Sequence, residues 1–231
     1  MLEEKVLGLA RAPCRAFSAR LMLVAALGAV TASALALPAS AVSLNAQLLS
    51  AARQNDLSQV ARVLDQGAVV NSRNRLGKTA LLVACDMGNA AMVAVLMTAG
   101  ADINFASVEL VTPLMAASYG GSAAIVNQLI AAGAGLLSLD LMNKPTAIYA
   151  AGQGHVLVLG TLIDAGIGVN AAYDHRLTLL MWPAGQGHAK TVRLLLARGA
   201  NAELRDDRGL MASDIARAAG HEAAMRSAGL R

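Results

Sequence analysis

Histidines are the side chains in this chain best suited to bind a metal ion. Three of the four recur every 33 residues, as His155, His188 and His221. Equal spacing places equivalent residues on neighbouring copies of a repeated element, and neighbouring helices lie about 8–10 Å apart. A zinc–nitrogen bond is only about 2 Å long, so three histidines in one such column cannot share an ion. We therefore expect each of them to bond to backbone at a junction between helices. His175 is isolated on a predicted loop, and we predict no metal site and no cofactor.

Acidic and nucleophilic side chains do not form a catalytic pattern either. Asp206 and Asp207 are adjacent on a predicted loop, where we expect them to point into solvent, and Asp164 stands apart from them. General acid–base catalysis needs groups that converge on one substrate atom. The chain has neither a G-x-S-x-G motif nor the phosphate-binding motif G-x-x-x-x-G-K-[ST]. The sequence therefore predicts a protein that is not an enzyme.

Two series of glycines reveal the elements that position these side chains. Both keep the same interval as the histidines, namely Gly67, Gly100, Gly133, Gly166 and Gly199, and Gly88, Gly121, Gly154, Gly187 and Gly220. Glycine reaches positive φ at low cost, so it marks helix ends and tight loops. A fixed period in the range of about 20–50 residues indicates a tandem array. We predict units at 75–107, 108–140, 141–173 and 174–206, with more polar capping units at 44–74 and 207–231.

Each predicted unit contains two short helices. A threonine precedes the first helix, as in the stretch 112–117 (Thr-Pro-Leu-Met-Ala-Ala), and threonine is a good helix N-cap. The second helix has apolar pairs four residues apart, such as Met92-Val93 and Leu96-Met97, which lie on one helix face. Stacked units of this kind bury their apolar faces against each other.

This pattern resembles the ankyrin repeat. The stretch 112–117 matches the family motif T-P-L-H-x-A with Met115 in the histidine position, and residues 100–104 match the G-A-D-x-N ending. The resemblance covers about residues 44–231. It implies an all-α solenoid of stacked helix–turn–helix units with projecting β-turn loops.

Several positions depart from this pattern. Pro183 replaces the alanine of other units inside a helix, at a cost of about 3 kcal/mol, so we expect a kink or local loosening near 180–187. The order Pro145-Thr146 is inverted, which puts the threonine cap of that unit in doubt. Val69, Gly135 and Gly168 stand in the position of Asp102, which puts the loop hydrogen bonding there in doubt. The last helix has Ala228-Gly229 in place of an apolar pair and is expected to fray.

The N-terminal segment 1–41 has the organisation of a signal peptide. We predict a basic n-region at 1–20, an apolar h-region at 21–37 and cleavage after Ala41. The alternative is an uncleaved N-terminal membrane anchor. Cleavage leaves residues 42–231 as the repeat domain with one cysteine, Cys85, in an apolar helical position.

Charge and composition exclude one class of partner. Subtracting the four basic and two acidic residues of 1–41 from the totals of 19 and 15 leaves 15 and 13. A net charge of +2 with aromatic residues at only 3% does not favour nucleic acid.

The resemblance also implies a binding surface. In ankyrin proteins similar to this one, the loop tips and the solvent side of the first helices form a concave face that binds another protein. Carried onto this chain, the partner-binding residues are Arg75, Leu76, Lys78, Asp86, Met87, Glu109, Tyr119, Met142, Lys144, Gln153, Asp174, His175, Gln186 and Arg208, and Arg75, Met87, Tyr119 and Met142 are the expected anchors. The alternative is that these are ordinary scattered surface residues. Tyr149 and Trp182 share one repeat position, which we assign to the core between units.

We therefore predict a non-catalytic adaptor, monomeric by itself, that is periplasmic or secreted in a Gram-negative bacterium and binds an unidentified protein. Two alternatives remain open. One is a scaffold tethered to the membrane by a retained N-terminal helix, and the other is an accessory subunit of a periplasmic enzyme.

Overall fold

The computed structural model describes residues 39–230, so the predicted n-region and h-region lie outside the described residues. The described part contains twelve α-helices, arranged as six antiparallel pairs of a first and a second helix. The first helices are α1 (Ala39–Arg53), α3 (Ala80–Asp86), α5 (Pro113–Gly120), α7 (Thr146–Gln153), α9 (Met181–Gln186) and α11 (Ala212–Ala218). The second helices are α2 (Leu57–Asp65), α4 (Ala90–Thr98), α6 (Ala123–Ala131), α8 (Val156–Asp164), α10 (Ala189–Ala197) and α12 (Glu222–Ser227).

No β-strand is present between residues 39 and 230, and two isolated bridges close loops at Leu139–Pro145 and Ala172–Thr178. The predicted all-α solenoid is therefore confirmed. Helix α1 begins at Ala39, ahead of the predicted unit boundary at 44, and the predicted cleavage after Ala41 falls in its first turn.

Short polar side chains cap the starts of helices α2 to α5. The Leu82 N–H donates to Thr79 Oγ1 (3.2 Å) and the Met115 N–H donates to Thr112 Oγ1 (3.3 Å), which satisfies two of the free donors at those helix starts. Helix α7 follows Pro145 without a side-chain cap, and the buried Thr146 hydroxyl has no partner among the described residues. The inverted Pro-Thr order has thus removed the cap.

Helices α2 to α11 end at the two series of glycines. The series from Gly67 to Gly199 has φ between 84° and 109°, and the series from Gly88 to Gly220 has φ between 69° and 79°. The first series follows the second helices and the other follows the first helices, as the period predicted. Each unit therefore turns at the same two places.

Alanines in the first helices determine how closely the units pack. Ala84, Ala117 and Ala150 are completely buried, and Cys85 is buried beside the first of them. The first helices contact one another more extensively than the second helices do, so the stack curves toward the first helices and the loops. That side is called the concave face below.

Pro183 has the position of these alanines in α9, and the helix has adapted to it. Helix α9 starts at Met181, and the Met181 N–H donates to Thr178 O in a tighter turn before it. The late start makes Pro183 the third helical residue, where a missing N–H costs little because the first four N–H groups have no partner in the helix. The expected kink or loosening near 180–187 therefore takes the form of a later start of helix α9.

The C-terminal end of the stack is packed although its helix is short. Helix α12 ends at Ser227, but Met225 and Leu230 are buried against the preceding unit. The predicted fraying overlooked Leu230. In the part of the chain with assigned structure, no helix is long and apolar enough to cross a membrane.

Candidate partner-binding face

A short polar residue organises most of the projecting loops. Asp140 Oδ1 accepts the N–H groups of Met142 (2.7 Å) and Lys144 (2.8 Å), two and four residues later. Asn74 and Asp206 bond in the same way, and Ser107 accepts only from the residue four positions on. These short polar residues recur with the period of the glycines, a signal in the sequence that was not used to predict them.

Asp206 is a correction to the sequence analysis, which placed it in solvent. The residue is only 3% exposed, and its second carboxylate oxygen accepts from the Arg208 guanidinium (2.7 Å). Burial alone would raise the pKa of the carboxyl, but the hydrogen bonds from the Leu210 N–H and from Arg208 hold the pKa below its ordinary value. Asp206 is therefore a structural residue, while Asp207 is exposed as expected.

The loop at 173–177 differs from the others. Tyr173 stands where the other loops have a short polar residue, and it cannot accept the two backbone bonds. The chain forms a short 3₁₀ turn at Asp174–Arg176 instead, with His175 (φ 55°) and Arg176 (φ 57°) both left-handed. Non-glycine residues adopt this conformation at a cost, so the loop is strained. The His175 ring lies between Asp174 (3.9 Å) and the Asp207 carboxylate (3.7 Å).

The loops stack on one another through backbone hydrogen bonds. The Val108 N–H donates to Leu76 O (3.0 Å), and the Leu141 N–H donates to Glu109 O (3.1 Å). These bonds join the tips of the first three loops into one surface, and the Asp207 N–H donates to His175 O (3.1 Å) between the last two loops.

A series of asparagines strengthens the stack beneath the tips. Asn71 Oδ1 accepts the Asp102 N–H (2.8 Å), and Asn104 Oδ1 accepts the Gly135 N–H (2.9 Å). Because the donor is a backbone N–H, the loss of aspartate at Gly135 does not break this bond. The interruption lies at Leu137, which replaces the next asparagine of the series and has no acceptor to offer.

The repeated histidines fasten each unit to the one before it. His155 Nε2 lies 2.8 Å from Tyr119 O, and His188 Nε2 lies 2.9 Å from Gly152 O. The rings cover Gly121 and Gly154, where a Cβ atom would come within 3 Å of the imidazole. The expected backbone hydrogen bond is confirmed for these two histidines. Within residues 39–230, no group of three His, Cys, Asp or Glu side chains could hold a metal ion.

The predicted partner-binding residues lie on the loop tips and at the C-terminal ends of the first helices. Twelve of the fourteen are exposed, and Lys78 and Lys144 are half-buried. Lys78 Nζ lies 2.5 Å from the Asp86 carboxylate, so a loop and a helix end border one surface.

A model of ankyrin repeats matches the chain twice, over residues 48–140 and 115–206. The chain belongs to the ankyrin-repeat family. It is similar to the mitochondrial disaggregase of Bos taurus, at 55% identity over 42 residues, which are 18% of this chain and 6% of that protein. It is equally similar to the human mitochondrial disaggregase, at 55% identity over 40 residues, 17% and 6% of the two chains. The chain thus spans about 6% of the length of these curated relatives.

Ankyrin repeats bind other proteins, and the exposed apolar side chains here favour that role. Six large apolar residues on the concave face are more than half exposed, namely Leu76, Met87, Val108, Tyr119, Leu141 and Met142. The sequence analysis missed Leu137, which is 76% exposed at the break in the asparagine series.

Aromatic side chains of this ankyrin stack line the centre of the concave face. Tyr149 and Trp182, which we assigned to the core, are only half-buried. The Tyr149 hydroxyl donates to Asp140 Oδ2 (2.6 Å). Burial is the larger cause that raises the pKa of Tyr149, and this hydrogen bond raises it further. Tyr119 meets Tyr149 edge-on at 6.2 Å, and Lys144 Nζ lies 5.6 Å from the centre of the Trp182 ring. Two predicted residues, Tyr119 and Lys144, therefore each contact one of these aromatic side chains.

Proposed function

We propose that this protein is an exported, non-catalytic adaptor that is monomeric by itself and binds one partner protein in the periplasm through its concave face. The observation that carries the proposal is the row of exposed apolar side chains on loops that are held rigid by backbone bonds. Met142 is 69% exposed at a tip whose backbone is tied down by Asp140. A surface held in place before binding loses little ordering entropy when a partner arrives.

The anchors of this face are Arg75, Met87, Tyr119 and Met142. Aromatic residues, methionine and arginine are the side chains that most often dominate binding energy at interfaces. Tyr119 lies edge-on against the half-buried Tyr149, and Asp140 accepts bonds from both the Tyr149 hydroxyl and the Met142 N–H, so one partner can contact all three residues.

The test compares capture of proteins from a periplasmic extract by three forms of the full chain. These are the parent, the Tyr119→Ala/Met142→Ala variant and the control Leu157→Ala. Leu157 is 77% exposed on the second helix α8, so the control removes an equally exposed apolar side chain away from the loops. We expect one protein to be captured by the parent and the control and lost by the double variant. Equal capture by all three forms would show that the partner does not bind through the concave face.

Export is tested by the mass and N-terminal sequence of the protein isolated after expression of the full chain. We expect the mature protein to begin at Val42, because small residues precede that bond after the apolar segment. An intact N-terminus in the membrane fraction would support the tethered scaffold instead. Capture of one enzyme at fixed stoichiometry, with altered activity, would make this protein an accessory subunit.

A further inference from the structure

The first loop of the stack has an open backbone edge. Arg75 has the same place in its loop as Val108 one repeat later, whose N–H donates to Leu76 O of the preceding loop. The residue at the matching acceptor position before Arg75 is Ser43, which lies inside helix α1. Within residues 39–230, no earlier loop can therefore accept the Arg75 N–H. The Arg75 N–H can therefore donate to a backbone carbonyl of a bound extended segment.

A groove of about 730 Å³ lies beside this edge, between α1 and the first loop. Ala46, Leu49, Val69 and Leu76 contribute apolar surface to it. The Ser72 hydroxyl, which also lines the groove, is buried and makes no hydrogen bond within the described chain. The groove is large enough for several side chains of a bound peptide.

The charges that line this groove are all of one sign. Arg53, Arg73 and Arg75 line it, and no acidic residue among the described residues does. Arg73 is held in place by bonds to Gly77 O (3.0 Å) and Ala106 O (3.0 Å). Arg53 and Arg75 form no ion pair in the described part of the chain. Their guanidinium groups are therefore free to pair with carboxylates.

We propose that this N-terminal groove binds an acidic, partly apolar segment of another protein in extended form. The segment adds its backbone to the open edge at Arg75, places apolar side chains on Leu49 and Val69, and pairs its carboxylates with Arg53 and Arg75. Nucleic acid fits less well, because no aromatic side chain lines the groove to stack on a base. The groove lies at the N-terminal end of the stack and shares Arg75 and Leu76 with the concave face, and the proposal goes beyond the adaptor function.

The experiment measures fluorescence anisotropy of a labelled nine-residue peptide of alternating glutamate and leucine, titrated with the protein isolated after expression of the full chain. Two further peptides replace either every glutamate by lysine or every leucine by serine. We expect the glutamate–leucine peptide to bind, with an affinity that falls as salt is added, because the ion pairs are exposed. Binding of the lysine peptide, or equal binding of the serine peptide, would overturn the proposal, since the first denies the charge and the second the apolar contact.

Variants place the peptide in the groove. Arg53→Gln and Arg75→Gln should each weaken binding about fivefold, the effect of one exposed ion pair. Arg193→Gln is the control, because Arg193 is also exposed but lies on α10, far along the chain from the groove. Ala46→Glu, which adds a carboxylate on the exposed side of α1, should abolish binding without disturbing the fold. Unchanged affinity in all three groove variants would refute the site.

This outcome is separable from that of the adaptor test. Tyr119→Ala/Met142→Ala should leave peptide binding in the groove unchanged, whereas Arg53→Gln should leave capture by the concave face unchanged. Each proposal can therefore fail alone.

Discussion

The histidine that covers a glycine of the preceding unit leads to a sharp prediction about stability. Gly121 has φ 75° and its added Cβ would lie 2.5 Å from the His155 ring, so Gly121→Ala strains the backbone and displaces the imidazole. Gly88 is the equivalent residue one unit earlier, with φ 69° and nothing within 4 Å of its Cβ position. Gly88→Ala therefore has the backbone strain without the displaced ring.

The magnitude follows from these two effects. Alanine in left-handed backbone costs roughly 1–2 kcal/mol at either position. At Gly121 the ring must also leave Tyr119 O, 2.8 Å from His155 Nε2, and a hydrogen bond of this kind contributes about 1 kcal/mol. We expect Gly121→Ala to lower the free energy of unfolding by about 1 kcal/mol more than Gly88→Ala does, which corresponds to about 2–4 °C in Tm for a domain of this size.

Urea unfolding followed by circular dichroism measures both variants, each in the parent and in a His155→Ala background. In the His155→Ala background the two glycine substitutions should cost the same, because no ring remains to be displaced. The reasoning is refuted if the two variants are equally stable in the parent. It is also refuted if their difference persists without the histidine.

Three further predictions concern single residues. Leu137→Asn should raise the free energy of unfolding by about 1 kcal/mol, because the new amide oxygen can accept the Gly168 N–H and complete the asparagine series. The control Leu157→Asn, at an equally exposed leucine, should not raise it. Equal urea midpoints for the two variants would contradict this prediction. Burial raises the pKa of the Cys85 thiol above its ordinary value of 9.0. Iodoacetamide at about pH 8 should therefore label Cys85 only as fast as the protein unfolds. Rapid labelling of the native protein would contradict the assigned burial. The pKa of Asp206 is held below its ordinary value of 3.8, so its contribution to stability is present above pH 3.8 and is lost as the pH falls through the lower folded value. Urea midpoints measured against pH should therefore decline more steeply in acid for the parent than for Asp206→Asn. Parallel profiles would count against the assignment.

Local patterns in the sequence were enough to predict the helix pairs. The apolar pairs of Met92-Val93 and Leu96-Met97 face inward as the helical period requires. Cys85 is buried in the apolar position that the pattern assigned to it. These predictions hold because helix ends and buried faces depend on residues only a few positions apart.

The loops could not be predicted to the same depth. The turn residue with positive φ is glycine at Gly77 but leucine at Leu110 and arginine at Arg176, so composition does not reveal it. Asp206 was misplaced in solvent because its partners are the backbone and side chain of its own turn, which a charge pattern does not show. Trp182 packs against the core as assigned, but it is only half-buried.

The sequence by itself determined the period, the ankyrin fold and the side of each helix that is buried, since these follow from glycine spacing and helical periodicity. Only the tertiary structure decided which backbone atom each polar side chain meets. His155 bonds to Tyr119 O and Asn104 to the Gly135 N–H, partners 36 and 31 residues away that adjoin because one unit rests on the next. Within residues 39–230, the same stacking leaves Arg75 with no earlier loop beside it. Contacts between units depend on the rise and rotation from one repeat to the next, and neither quantity is written in any one repeat.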